Sequence, residues 1–176
     1  AMIAAQGDRV AATASATRVA VMCLDLDKFR EVNETLGYDR GDALLRAVSA
    51  RLGRGLGARG TVARLGGDTF LLVIPDCRNA EHARELAERM LTAIGQPFPI
   101  DEHEHCLSTS IGVAMFPDDG ADDQALIKNA DIAMYRAKDR GRGTCVFYDA
   151  ALEAPIRLRI SQERLLRQAL ERHEFE

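Results

Sequence analysis

The sequence predicts an α+β domain, with a mainly antiparallel central sheet flanked by helices. Three observations carry that prediction. Residues 18–26 form a nearly continuous apolar run, the pattern of a strand buried on both faces. The β-prone segments Thr61-Val62-Ala63 and Leu71-Leu72-Val73-Ile74 meet at Gly66-Gly67, and because glycine turns cheaply through positive φ they read as a tight hairpin. Ala80, Ala83, Leu86, Ala87, Met90, Leu91 and Ile94 recur at helical spacing, and a second helical stretch follows from Asp122 or Asp123 to about Asp139.

Bulk properties narrow the class. A chain of 176 residues suffices for one domain with a sizeable core. A net charge of −4 argues against non-specific nucleic-acid binding, which needs a broad basic face, so an anionic small ligand would require a local basic site. Cys23, Cys77, Cys106 and Cys145 are far apart with no C-x-x-C pair, so zinc spacing is absent and free thiols in a reducing cytosol are expected. No apolar run reaches the roughly 18 residues of a membrane span. A cytoplasmic domain is expected, in a full-length protein whose membrane tethering stays open.

Taken in order, residues 1–17 are alanine-rich and read as the end of an N-terminal helix. Asp25 and Asp27 close the first strand, with Leu26 between them pointing to the opposite face. Phe29 to Leu36 suits a short helix, and the segment Gly37 to Gly41 breaks it. Asp42 then reads as the N-cap of a helix running to about Leu52. Gly55-Leu56-Gly57-Ala58-Arg59-Gly60 satisfies G-x-G-x-x-G by letter, but it follows a helix and precedes a strand, the reverse of a dinucleotide fingerprint. No P-loop is present either.

Further on, Asn79 opens the helix through Ile94, and Gly95-Gln96-Pro97 stops it. Phe98 to Ile100 and Cys106 to Ala114 read as strands around a polar turn, Asp101 to Glu104. His103 and His105 share one strand face, but no third ligand lies nearby, so they read as solvated turn residues. Thr144 to Phe147 is a closing strand. Beyond Ala150, Ile160, Leu165, Leu166, Ala169 and Leu170 mark an amphipathic helix.

Two clusters carry chemistry. Asp25 at a strand end and Asp68 at the hairpin tip could share a divalent cation, although a solvated tip would explain Asp68 alone. Lys138 and Arg142, four residues apart, could converge where a helix ends, or merely favour its C-terminal dipole.

Several separated motifs resemble one family. Asp25, Asp27, Phe29, Arg30, Asn33, Gly37, Gly41, Asp42, Leu44 and Leu45 match D-x-D-x-F-[KR]-x-x-N-x-x-x-G-x-x-x-G-D-x-L-L. Gly66-Gly67-Asp68-Thr69-Phe70 stands at the signature loop, Ser110 to Ala114 matches S-I-G-V-A, and Ala130 to Arg142 matches A-D-x-A-[ML]-Y-x-A-K-x-x-G-R. The chain therefore resembles the GGDEF domains, the diguanylate cyclase family that condenses two GTP into cyclic di-GMP, over about residues 18–149.

The resemblance implies a nucleotidyl cyclase, palm-like fold. It implies that Asn33 and Asp42 read the guanine edge, whose N1–H and N2–H₂ donors suit a carboxylate. Asp25, Asp68 and the carbonyl of Leu26 would hold Mg²⁺ (or Mn²⁺), with Gly66 and Gly67 letting backbone approach the ligand. Arg30, Lys138 and Arg142 would serve the phosphates, and Asp25, Asp68 and Thr69 would be the catalytic positions. Catalysis would need a second GGDEF domain, as in a homodimer. Residues 165–175 resemble the first helix of an EAL phosphodiesterase, so 150–176 are expected to lead into such a domain. The family's inhibitory R-x-x-D falls at Gly57 and Gly60, which carry neither side chain. Thr69 replaces the family's glutamate and leaves two readings: a cyclase of weak activity, or a catalytically deficient GTP-binding domain controlling an EAL phosphodiesterase.

Overall fold

A computed structural model describes residues 18–101 and 103–152. The expected helix end at 1–17 and the expected helix beyond Leu152 lie outside the described residues. Strand β1 (Val19–Leu26) is buried along its whole length. It lies at the centre of a five-stranded sheet, between β3 (Thr69–Ile74) and β6 (Thr109–Phe116), both antiparallel to it. β2 (Thr61–Gly66) flanks β3, and β7 (Cys145–Phe147) lies parallel to β6 on the other edge. The mainly antiparallel expectation holds, with one parallel pair.

The alternation of β1 divides the core. Ala20, Met22 and Leu24 face helices α2 (Tyr38–Leu56) and α3 (Ala80–Gly95), meeting Leu44, Val48, Leu52, Leu86 and Met90. Val19, Val21 and Cys23 face α4 (Asp123–Asp139), meeting Leu126, Ala130 and Met134. Two side chains cap these helices as expected: Asn79 accepts from the His82 amide, and Asp122 from the Ala125 amide. α4 lies directly on the sheet at Gly112, where a Cβ would sit 2.0 Å from the Ala130 carbonyl oxygen.

Three expectations are corrected. Asp42 caps nothing: α1 (Phe29–Leu36) and α2 are separated by Gly37 alone, at φ 85°, so Asp42 lies inside α2 and is exposed. A single left-handed glycine reverses the chain, which frees Tyr38 to Gly41 to be helical. α2 also runs past Leu52 to Leu56, because both leucines extend its buried stripe and outweigh Gly53 and Gly55. A short 3₁₀ turn, Gly57–Arg59, then leads to β2, so the glycine-rich letters do sit between helix and strand.

The third correction concerns the histidines. His103–His105 is a strand, β5, paired with β4 (Phe98–Ile100), and β6 begins only at Thr109. Backbone pairing with β4 recruits residues whose polarity suggested a turn.

Glycine positions in this fold separate packing from propensity. Gly112→Ala is expected to lower stability by about 1–3 kcal/mol, the usual cost of overpacking. Gly53→Ala, with nothing within 4 Å of its Cβ position, should instead gain up to about 1 kcal/mol from helix propensity. Urea denaturation midpoints test the pair, and equal shifts of one sign would contradict the packing described.

Candidate active site

The alternation that buries Val19, Val21 and Cys23 under α4 also places Asp25 there, at the end of β1. Asp25 is 8% exposed. A carboxylate so placed needs partners, since burying an unpaired charge is costly. It has two. Lys138 Nζ, from the last turn of α4, lies 2.7 Å from Oδ1, and the Thr69 hydroxyl donates to Oδ2 at 3.3 Å. Thr69 reaches it because the β1–β3 register sets Asp25 opposite Thr69.

The hairpin tip is fastened to the same place. The Leu26 amide donates to the Asp68 carbonyl at 3.3 Å, and Arg64 Nε donates to the Gly67 carbonyl at 2.8 Å. Gly67, at φ 54°, makes the turn that leaves Asp68 half-buried beside Asp25. Burial pushes the Asp25 carboxyl above its ordinary range; the Lys138 hydrogen bond and charge oppose this, the Asp68 charge adds to it, and the Thr69 hydroxyl opposes it slightly.

The structure thus brings Asp25, Thr69 and Lys138 into contact, with Asp68, Gly66, Gly67 and Leu26 at the same strand end. A second group lies between α1 and α2. Asn33 sits over Gly41, where a Cβ would fall 1.8 Å from its Oδ1, and the exposed Asp42 is the next residue. Arg30 is exposed and joined to Glu34 at 2.8 Å, not to the carboxylates. Lys138 and Arg142 do not converge on one partner. Lys138 is held by Asp25, while Arg142 is exposed in the loop after α4 at φ 66°.

At the other positions singled out, Gly57 and Gly60 offer no side chain, and a Cβ on Gly60 would lie 2.4 Å from the Val73 carbonyl oxygen. Among the described residues no group of three His, Cys, Asp or Glu could hold a metal, His103 and His105 included. Two carboxylates at a strand end nonetheless suit a hard cation that keeps part of its water and takes its other oxygens from a ligand.

The sequence model of the family described as "Diguanylate cyclase, GGDEF domain" matches residues 4–144. The chain belongs to the GGDEF domain family. It is a GGDEF domain of cyclic di-GMP signalling. Its relatives include the bifunctional diguanylate cyclase/cyclic di-GMP phosphodiesterase MucR of Pseudomonas aeruginosa, 43% identical over 158 residues, which are 90% of this chain and 23% of that protein. The cyclic di-GMP phosphodiesterase PdeR of Escherichia coli is 43% identical over 132 residues, 74% of this chain and 20% of that protein. The chain spans about a fifth of the length of such curated relatives. Among solved structures, the GGDEF domain of YfiN (TpbB) from Pseudomonas aeruginosa superposes with a TM-score of 0.80 at 26% identity, covering 89% of this chain and 88% of that one. A sensory box/GGDEF family protein from Caulobacter crescentus gives 0.72 at 43% identity, covering 79% and 88%.

Two residues of this GGDEF domain lie in the matched motifs but carry no site role in the sequence analysis. Asp27, which closes the first strand and matches the second acid of D-x-D, is buried and gathers several donors. Asp131, half-buried on α4, shares an environment with Lys138 and Asp25; burial raises its carboxyl, Lys138 lowers it and Asp25 raises it. The spacing of Asp131 and Lys138, two helical turns apart on one face, was the available signal. Cys23 beneath them is pushed up to about 12 by burial and by the Asp131 charge.

Asp131 has a raised carboxyl in the fold, so its contribution to stability is present below the ordinary carboxylate value and lost as pH rises through the raised one. Asp131→Asn should therefore match the parent in thermal stability near pH ~4 and become relatively more stable toward pH ~7 in metal-free buffer. Thermal denaturation across that range checks it. A difference that stays constant, or grows toward acid, would contradict the assignment.

Proposed function

We propose that this domain binds GTP with Mg²⁺ at the Asp25 and Asp68 end of β1, and that its turnover is weak because Thr69 supplies no charge. The observation that carries the reading is the contact of Thr69 with Asp25 Oδ2. The residue at the family's glutamate position still faces the proposed metal ligand. It engages that ligand as a neutral donor and adds no negative charge.

On this reading, Asp25, Asp68 and the Leu26 carbonyl hold the cation, Mg²⁺ or alternatively Mn²⁺. When bound, the cation screens triphosphate charge and lowers the barrier to deprotonating an attacking hydroxyl. Asn33 and Asp42 read guanine, while Arg30, Lys138 and Arg142 serve the phosphates. Arg30 must leave Glu34 to do so, an exposed pairing that costs little to break. In the full reaction the 3′-OH of one GTP attacks the α-phosphorus of the other and pyrophosphate leaves, twice over. Each domain presents one GTP, so a second GGDEF domain must face the first.

The alternative reading is a GTP-binding regulatory domain with no turnover, acting on an EAL phosphodiesterase in the same chain. The curated relatives named for phosphodiesterase activity favour it, as does the resemblance of residues 165–175 to an EAL helix. The domain proper would occupy residues 18–149 of a cytoplasmic portion of the protein.

Calorimetry should show GTP binding at least about tenfold tighter than ATP, with Asp42→Ala removing most of that preference. Thr69→Glu should raise cyclic di-GMP synthesis at least about tenfold, equivalent to about 1.4 kcal/mol off the barrier, with GTP affinity changing less. Equal affinity for GTP and ATP would overturn the guanine reading. A parent domain already turning over at a rate that Thr69→Glu cannot improve would identify an ordinary cyclase. GTP binding without product in both proteins would favour the regulatory reading.

A further inference from the structure

We propose that Asp27 is a positioning residue that clamps the loop between α4 and β7 and thereby aims Arg142 at the phosphates of a bound nucleoside triphosphate. The proposal rests on the GTP reading above. Asp27 follows β1 by one residue and is 6% exposed. Three neutral donors converge on its carboxylate. Ser110 Oγ donates to Oδ1 at 2.7 Å, while Ser108 Oγ and the Gly143 amide donate to Oδ2 at 2.8 and 3.1 Å. Its own amide donates to the Ser108 carbonyl at 2.9 Å.

The loop it holds has an unusual backbone. Gly141, Arg142 and Gly143 all have positive φ, at 110°, 66° and 60°. Two glycines take such angles freely, but an arginine there is disfavoured and persists only where its surroundings fix it. The fixing is visible on both sides. The Gly141 and Arg142 amides donate back into the end of α4, to the Lys138 and Ala137 carbonyls at 3.4 and 3.1 Å. Beyond Arg142, the Gly143 amide is taken by Asp27, and the Thr144 carbonyl accepts from the Ile111 amide at 3.0 Å.

Asp27 is thus the side-chain tie adjoining the one charged residue of this left-handed run. Its partners are all neutral donors from the loops and strand around it, whereas Asp25 is paired with the Lys138 ammonium. A carboxylate suits the task because it accepts at both oxygens, whereas an amide in its place would present hydrogens to at least one of the same donors.

The test measures binding of Mg–GTP and of guanosine, which has the base and no phosphate, by the domain and its variants. Asp27→Asn is expected to weaken Mg–GTP at least about tenfold while guanosine stays within about twofold. Arg142→Ala should show the same selectivity, and the double variant should be no weaker than Arg142→Ala alone by more than about twofold. Amide exchange of residues 141–144 should accelerate in Asp27→Asn without nucleotide present. Should Asp27→Asn fail to fold, Ser108→Ala, which removes one donor from Oδ2, should give a loss of about threefold that again spares guanosine. Equal losses for both ligands would reduce Asp27 to a structural role, and additive losses with Arg142→Ala would show that it does not act through that residue. Either result overturns the proposal. Failure of the parent domain to bind GTP would overturn the nucleotide reading and the aim given to Arg142. That is told apart from failure of the clamp by the nucleotide-free exchange of 141–144.

Discussion

A carboxylate at the buried end of the central strand imposes conditions on everything around it. Asp25 lies on the α4 face because β1 alternates, and the alternation cannot be altered without turning Val19, Val21 and Cys23 out of the core. A charge in that position must be compensated, and the compensation comes from Lys138 and Thr69. Lys138 can reach it only because α4 lies close on the sheet, and α4 comes that close because residue 112 has no side chain. The hairpin is bound by the same requirement: its tip meets β1 through Leu26 and Asp68. Sheet register, helix approach and turn geometry therefore share one origin, and the chemistry of the site is set by the packing of the core.

Much of this was legible in the sequence, for identifiable reasons. β1 announced itself as an apolar run because both its faces are covered, and the hairpin did so through glycines that a tight turn requires. The helix start at Asn79 and a cap at Asp122 or Asp123 followed from local hydrogen-bonding chemistry, and the fold selects Asp122. What stayed hidden depended on contacts between distant parts of the chain. Gly37 alone reverses α1 into α2, so the apparent cap at Asp42 was redundant. His103–His105 became a strand through pairing with β4, which no local polarity signals. The Asp25–Lys138 pair and the donors around Asp27 join segments far apart in sequence, and only the fold brings them together.

Position 69 links the physical and familial lines of argument. Family membership supplies the expectation of an acid, and the register shows where that acid would stand: directly opposite Asp25, on the same face. A second carboxylate there would add repulsion to a site whose Asp25 is already raised by burial, a cost that a bound cation would offset. Threonine relieves that repulsion and gives Asp25 a hydrogen bond. On the proposed reading, this residue exchanges catalytic charge for a quieter resting site and leaves the nucleotide contacts elsewhere unaltered.

On the proposed reading, a metal-bound nucleotide sits at the end of β1 that carries Asp25 and Asp68. Nuclear magnetic resonance of the isotopically labelled domain, with Mn²⁺ and GTP added, measures this through paramagnetic relaxation of backbone amides. The amides of Leu26, Asp68 and Thr69 should be broadened most strongly, and Asp25→Asn should abolish the effect. Broadening centred on His103 and His105, or spread over the surface without preference, would contradict the placement of the site at the end of β1.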